Sequence, residues 1–226
     1  MDRFWGTNKK FLLLSLLGMC MIFLPAAACC GIGGSIGGSS TPTTGIPPAT
    51  ATPNLVIYQD ALDGSTQANW TSDSNCFFGS GGYHIKGSFI CYAPSDQVGD
   101  GVVTVSVKQL SGAVTDGFGL VFRRPSAGNY YEFLIDANGK WFFSKVVGGT
   151  STTIVDFTPN SAVTKGLNQV NTISVQSQGS HFVFSVNGTQ VGTSDDTTFT
   201  TGDTGLSGND NIEVVYTNLT ISKLSA

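Results

Sequence analysis

The sequence predicts an all-β chain: a two-sheet antiparallel β-sandwich behind an N-terminal hydrophobic signal helix. Three observations lead there. From Leu55 onward, apolar and polar residues alternate with a period of two through many short runs. Asn-Gly and Gly-Gly pairs stand between those runs, where tight hairpins need positive φ. No segment after the leader carries a long helical stripe. About twelve short strands in one domain bury their apolar faces most simply as two packed sheets.

The chain divides into three parts. Residues 1–28 are a signal peptide or membrane anchor: "MDRFWGTNKK" brings Arg3, Lys9 and Lys10 ahead of the apolar "FLLLSLLGMCMIFLP" and the small-residue run "AAACC". Three processing routes are open. "AAAC" ending at Cys29 is lipobox-like, which makes Cys29 the lipidation candidate, although Ala26 stands where that motif usually has Leu. Phe11 to about Ala28 is nearly long enough to span a bilayer as an uncleaved anchor. Simple secretion is the third route. All three place the remainder outside the cytoplasm, at the cell surface or secreted.

Residues 29–53 are a flexible Gly/Ser/Thr/Pro linker, since a stretch with no charge and no aromatic residue cannot offset its ordering entropy. The "GGSIG" within it formally matches a serine-esterase elbow. It lacks the strand before and the helix after Ser35 that the elbow needs. Residues 54–226 form the sandwich domain.

Within that domain, "VVTVSVKQL" sets Val103, Val105 and Val107 on one face. "GFGLVFRR" sets Phe118, Leu120 and Phe122 against Gly119, Val121 and Arg123. "NYYEFLID" sets Tyr131, Phe133 and Ile135 against Tyr130, Glu132, Leu134 and Asp136. "TISVQSQ", "HFVFSV" and "NIEVVYTNLTIS" continue the scheme. Asn138-Gly139 and Gly148-Gly149 predict a meander from Asn129 to about Phe157, and Asn187-Gly188 a further hairpin. Alternation assigns Phe118, Phe122, Tyr131, Phe133 and Phe184 to the core.

Charge narrows the partners. From Leu55 onward eight basic residues face fourteen acidic ones, a net of −6. That balance supplies no electropositive footprint and excludes nucleic acid. Nothing in the pattern calls for an oligomer, and the head is expected to be monomeric.

Cys76 and Cys91 are the only cysteines of the domain. With His84 and His181 as the only histidines, and no Cys-x-x-Cys, a zinc or redox site has little to build on. An exported compartment favours a disulfide. Two free thiols are the other alternative. "GGYHIKGSFICY" reads as a strand pair that would return Cys91 beside Cys76, closing a loop of ~15 residues worth about 3 kcal/mol.

The segments "GGYHIKG", "GFGLVFRR", "NYYEFLIDANGKWFFSK", "NQVNTISVQSQGSHFVFSVNGTQVG" and "TTGDTGLSGNDNIEVVYTNLTIS" follow one another in an order that resembles the concanavalin A-like lectin/glucanase jelly roll. The bacterial 3-keto-disaccharide hydrolase-type domains are particularly similar. The resemblance runs from Leu55 to Leu224 and lies in scaffold elements, with a final strand expected near the first. It implies a jelly roll that handles saccharides or serves as an inert head.

Hydrolysis on this scaffold needs two carboxylates across a sugar-sized gap. The chain has only two glutamates, Glu132 and Glu213. Glu132 and Asp136 share a strand face but stand ~13 Å apart, too far for either hydrolytic geometry. No catalytic residue is therefore assigned. For binding, aromatic faces and planar polar groups are the currency of sugar recognition. The candidates are Tyr130, Glu132, Asp136, Trp141, Trp70 and Arg124.

No cofactor is expected. Asp195, Asp196, Asp203 and Asp210 are weak calcium candidates, because hard oxygen ligands in loops suit that ion but also make ordinary turns. The expected function is that of a surface-tethered, non-catalytic module binding carbohydrate or a cell-surface polymer, with membrane contact through the N-terminal anchor. The rivals are a glycoside-acting hydrolase and a structural or protein-interaction head.

Overall fold

The computed structural model describes residues 53–66 and 69–224. The leader, the linker up to residue 52 and Cys29 lie outside the described residues. Among the described residues there are fourteen strands and no helix.

One sheet contains β1 (Pro53–Asp60), β2 (Cys76–Gly79), β3 (Gly82–Lys86), β5 (Gly101–Ser111), β10 (Asn171–Gln178), β11 (His181–Val186), β12 (Thr189–Asp195) and β14 (Glu213–Leu224). Its order is β12-β11-β10-β5-β14-β3-β2, and β1 pairs with the C-terminal half of β14. The other contains β4 (Phe89–Tyr92), β6 (Phe118–Ser126), β7 (Asn129–Ile135), β8 (Lys140–Val147), β9 (Thr150–Pro159) and β13 (Asp203–Gly208), in the order β4-β13-β6-β7-β8-β9. All pairings are antiparallel. The expected sandwich is present, and β1 does lie against the last strand.

The core is the interface of the two sheets, and period-two alternation decides who enters it. Val103, Val105 and Val107 point in from β5, Phe118, Leu120 and Phe122 from β6, and Tyr131, Phe133 and Ile135 from β7. Their rings mesh with Phe143, Phe182 and Phe184, for example Phe143 against Phe184 with centroids 4.6 Å apart. Each such side chain contributes about 1.5–3 kcal/mol by leaving water.

Three local expectations are corrected. Asn138-Gly139 does not form a mirror-image turn, since only Gly139 has positive φ. Asp136 and Lys140 close a three-residue loop there, with the Gly139 amide donating to the Asp136 carbonyl. The Asn187-Gly188 and Gly148-Gly149 turns do have positive φ at both residues.

β3 and β4 are not a strand pair either. β3 pairs with β2 and β14, while β4 crosses to the other sheet and pairs with β13. Cys76 and Cys91 are nevertheless bonded, with Cα atoms 6.2 Å apart. The disulfide therefore joins the edge strand β2 of one sheet to the edge strand β4 of the other.

Arg123 is not on the outer face. The β6–β7 register slips between Phe122 and Ser126, and Arg123 takes φ +47°. That bulge breaks the alternation and turns Arg123 inward to 3% exposure. Its guanidinium donates to the carbonyls of Gly99, Gly179 and Phe199, and pairs with Asp100 at 3.0 Å.

Candidate functional site

The outer face of the six-stranded sheet is built by the side chains that alternation turns away from the core. Gly119 on β6 and Gly205 on β13 leave its middle low, and a side chain at Gly205 would press on Ile90 and Tyr92 at 3.0 Å. Beneath, Val121, Tyr130 and Val146 form a small apolar patch with Ile90 against it. Above this floor runs a groove with two lobes. One has a volume of about 280 Å³ and includes Asp73, Ser88, Tyr92, Arg124, Glu132 and Asn209 in its wall. The other, about 250 Å³, shares Ser88, Glu132 and Asn209 and adds Leu134, Phe142, Ser151 and Phe157.

Glu132 is where the lobes meet. On β7 it stands opposite Val121 of β6 and Ser144 of β8. Its Oε1 accepts a hydrogen bond from Ser207 Oγ of β13 at 3.0 Å. Burial pushes its carboxyl up to about 7, and the hydrogen bond from Ser207 offsets only part of that rise. Near neutrality it can therefore either donate or accept a hydrogen bond.

In the first lobe the Arg124 guanidinium lies over the Tyr92 ring, 4.0 Å from its centroid, and its Nη1 pairs with Asp203 at 3.3 Å. The bulge that buries Arg123 is what delivers Arg124 to this face. Arg124 Nε is buried and has no hydrogen-bond partner among the described residues. In the second lobe Phe142 and Phe157 stack, with centroids 4.8 Å apart and planes 22° from parallel. The Ser88 hydroxyl accepts from the Asp210 amide at 2.7 Å, tying together the two loops that border both lobes.

Of the residues singled out from sequence, Glu132 and Arg124 reach this groove. Tyr130 shares the face but is 2% exposed inside the apolar patch, so it presents almost no ring to a ligand. Trp141 points between the sheets against Phe133, Phe184 and Gly192. Trp70 is also core. Its ring packs at a tilt against Tyr83, and its indole N–H donates to Asp60 at 3.0 Å. Asp136 is buried in its hairpin, where Oδ1 accepts from the Lys140 amide at 2.8 Å. Burial pushes its carboxyl up despite that bond.

The calcium candidates are spoken for separately. Asp195 pairs with His181 at 2.8 Å, Asp196 with Lys145 at 2.6 Å, and Asp203 with Arg124, while Asp210 borders the groove. Among the described residues, no three His, Cys, Asp or Glu side chains are grouped as a metal centre would need. His84, which has no evident partner in sequence, lies between the Glu213 carboxylate at 3.0 Å and the Ser80 carbonyl at 3.1 Å. Glu213 therefore belongs to the opposite sheet and not to the groove.

Sequence reasoning missed Phe157, Ser88 and Asn209 as groove residues, and Ser207 as the donor to Glu132. Ser207 was within reach, because "GLSG" alternates small outward residues with the inward Leu206. Ser88 and Asn209 sit in loops, where no period applies.

No known protein family matches the chain, and no curated protein does. Solved structures match in fold. A Bacillus subtilis carbohydrate-binding module, CBM66, aligns with a TM-score of 0.59 at 20% identity, over 68% of this chain and 95% of its own. A Bacillus subtilis protein of unknown function with a galectin-like fold gives 0.60 at 13% identity, over 76% and 98%. Bacillus licheniformis β-glucanase gives 0.54 at 14% identity, over 75% and 99%. At such identities the likeness is one of fold, and it places this domain among the jelly-roll sandwiches that its strand order describes.

Proposed function

We propose that the domain is a non-catalytic carbohydrate-binding head, displayed outside the cytoplasm on its N-terminal anchor and linker and acting as a monomer. The observation that carries this reading is the groove on the outer face of the six-stranded sheet, centred on Glu132. A sugar offers apolar C–H faces and a ring of hydroxyls. The groove offers flat aromatic surface (Tyr92, Phe142, Phe157) beside planar hydrogen-bonding groups (Glu132, Arg124, Asn209). The solved structures of similar fold include a carbohydrate-binding module, which supports the same class of ligand.

The test is retention of the full chain on immobilised polysaccharides and glycan arrays. Wild-type protein is expected to be retained, and Tyr92→Ala and Glu132→Gln to be retained less. Silence across neutral and acidic glycans alike removes the reading.

One observation favours a hydrolase as the second reading. A carboxyl held near neutrality in a groove is what a general acid requires, and Asp73 and Asp210 lie in the walls of the same lobes. This reading expects release of reducing ends from a bound glycan, abolished by Glu132→Gln. Binding without release by the full chain decides for the module.

A further inference from the structure

We propose that the groove holds a linear saccharide of two or more units across both lobes, with the linkage between two units lying over Glu132. The inference rests on the carbohydrate reading above and specifies what that reading leaves open, namely how much of a chain is recognised and in which direction its chemistry changes.

The geometry of the sheet comes first. The lobes lie side by side across its strands, one over β4, β13 and β6, the other over β7, β8 and β9. Five inter-strand steps of about 4.8 Å separate the outermost strands of a six-stranded sheet, ~24 Å in all. A site that long exceeds one sugar ring. Glu132, Ser88 and Asn209 are common to both lobes, so the polar groups concentrate at the junction, where a glycosidic oxygen and its flanking hydroxyls would sit.

The two lobes also differ in chemistry. In the first, the Arg124 guanidinium, Asp73 and Asn75 put planar and charged polar groups in the wall. This lobe suits a unit read through its hydroxyls. In the second, Leu134 and the stacked Phe142–Phe157 pair form an apolar wall, relieved by Ser151. This lobe suits a unit read through its C–H face. A single ring satisfies one lobe and leaves the other open. A chain satisfies both.

The experiment measures calorimetric affinity of the full chain for gluco-, xylo- and N-acetylglucosamine oligomers of one to four units. For any series that binds, affinity is expected to rise roughly tenfold or more from one unit to two or three, and then to level off. Phe142→Ala, and independently Phe157→Ala in case the first variant misfolds, are expected to lower oligomer affinity towards that of the single unit. Equal affinity for one unit and for longer chains would overturn the two-lobe proposal and leave the carbohydrate reading intact. So would loss of single-unit binding in both Tyr92→Ala and Phe142→Ala. No binding by any series overturns both.

Discussion

Glu132 on β7 reaches past β6 to accept a hydrogen bond from Ser207 Oγ on β13 at 3.0 Å. The contact is possible because glycines occupy the outward positions 119 and 205 between and beside them. It draws three strands of the outer face into one polar centre and offsets part of the rise that burial imposes on the carboxyl.

That affinity has a pH signature. Glu132 is held at about 7 in the folded domain against an ordinary 4.5, so the native state binds this proton more tightly than the unfolded chain. The resulting stability is complete below about pH 4.5 and is lost as pH rises through about 7, ~3 kcal/mol in total. Denaturant unfolding of wild type and Glu132→Gln at pH 5 and pH 8 checks it. The gap between the two proteins is expected to shift by about 2–3 kcal/mol in favour of the variant at the higher pH. Parallel profiles would contradict the assignment.

Arg124 and Tyr92 are expected to act together. The guanidinium over the ring contributes about 0.5–2 kcal/mol, and either alanine variant should lose it. A double-mutant cycle on ligand retention should show the two changes to be less than additive. Strict additivity would mean that the stack has no part in binding.

Neighbouring aromatics of β8 should behave oppositely. Trp141→Ala empties a core position and is expected to cost about 3–5 kcal/mol of stability. At a temperature where it remains folded it should bind ligand as wild type does. Phe142→Ala should do the reverse, with a small change in melting temperature and weakened binding.

Arg123 is a structural pin. Arg123→Met leaves the carbonyls of Gly99, Gly179 and Phe199 without their donor and is expected to destabilise by about 2–4 kcal/mol in denaturant unfolding. Asp100 is half exposed and rehydrates, so the cost stays below that of a fully buried broken ion pair.

The disulfide is checked by digesting unreduced protein and finding the Cys76 and Cys91 peptides joined by mass spectrometry. Reduction is expected to lower stability by about 3 kcal/mol, as closing a 15-residue loop implies. A change well under 1 kcal/mol would mean the unfolded chain gains little freedom.

How far the sequence reveals this architecture depends on which physical rule governs each residue. Alternation is a property of the strand backbone, so it assigned Phe118, Tyr131 and Glu132 to their faces without knowledge of any partner. It failed at Arg123, where one residue in the left-handed region reverses the facing of the residues after it, and no composition signal marks that bulge. Long-range pairing is also invisible to period. "GGYHIKGSFICY" reads as two strands and contains two strands, but they belong to different sheets. Aromatic residues near polar loops misled for a related reason. Trp70 lies in a polar stretch, yet its indole N–H finds Asp60, and that partner lets the ring be buried. The groove itself was half legible: strand positions could be read, but Ser88 and Asn209 depend on where loops come to rest.

The Cys76–Cys91 bond makes the two seams of the sandwich unequal. Where β2 meets β4, the layers are clasped by a covalent link. Along the opposite margin, the link from β8 to β12 and the residue just after it is non-covalent, through the Trp141 indole on Gly192 and Lys145 on Asp196. The molecule is therefore a book with a bound spine. Strain or heat should part its pages from the β9 and β12 side, and amide exchange there should outrun exchange beside the spine.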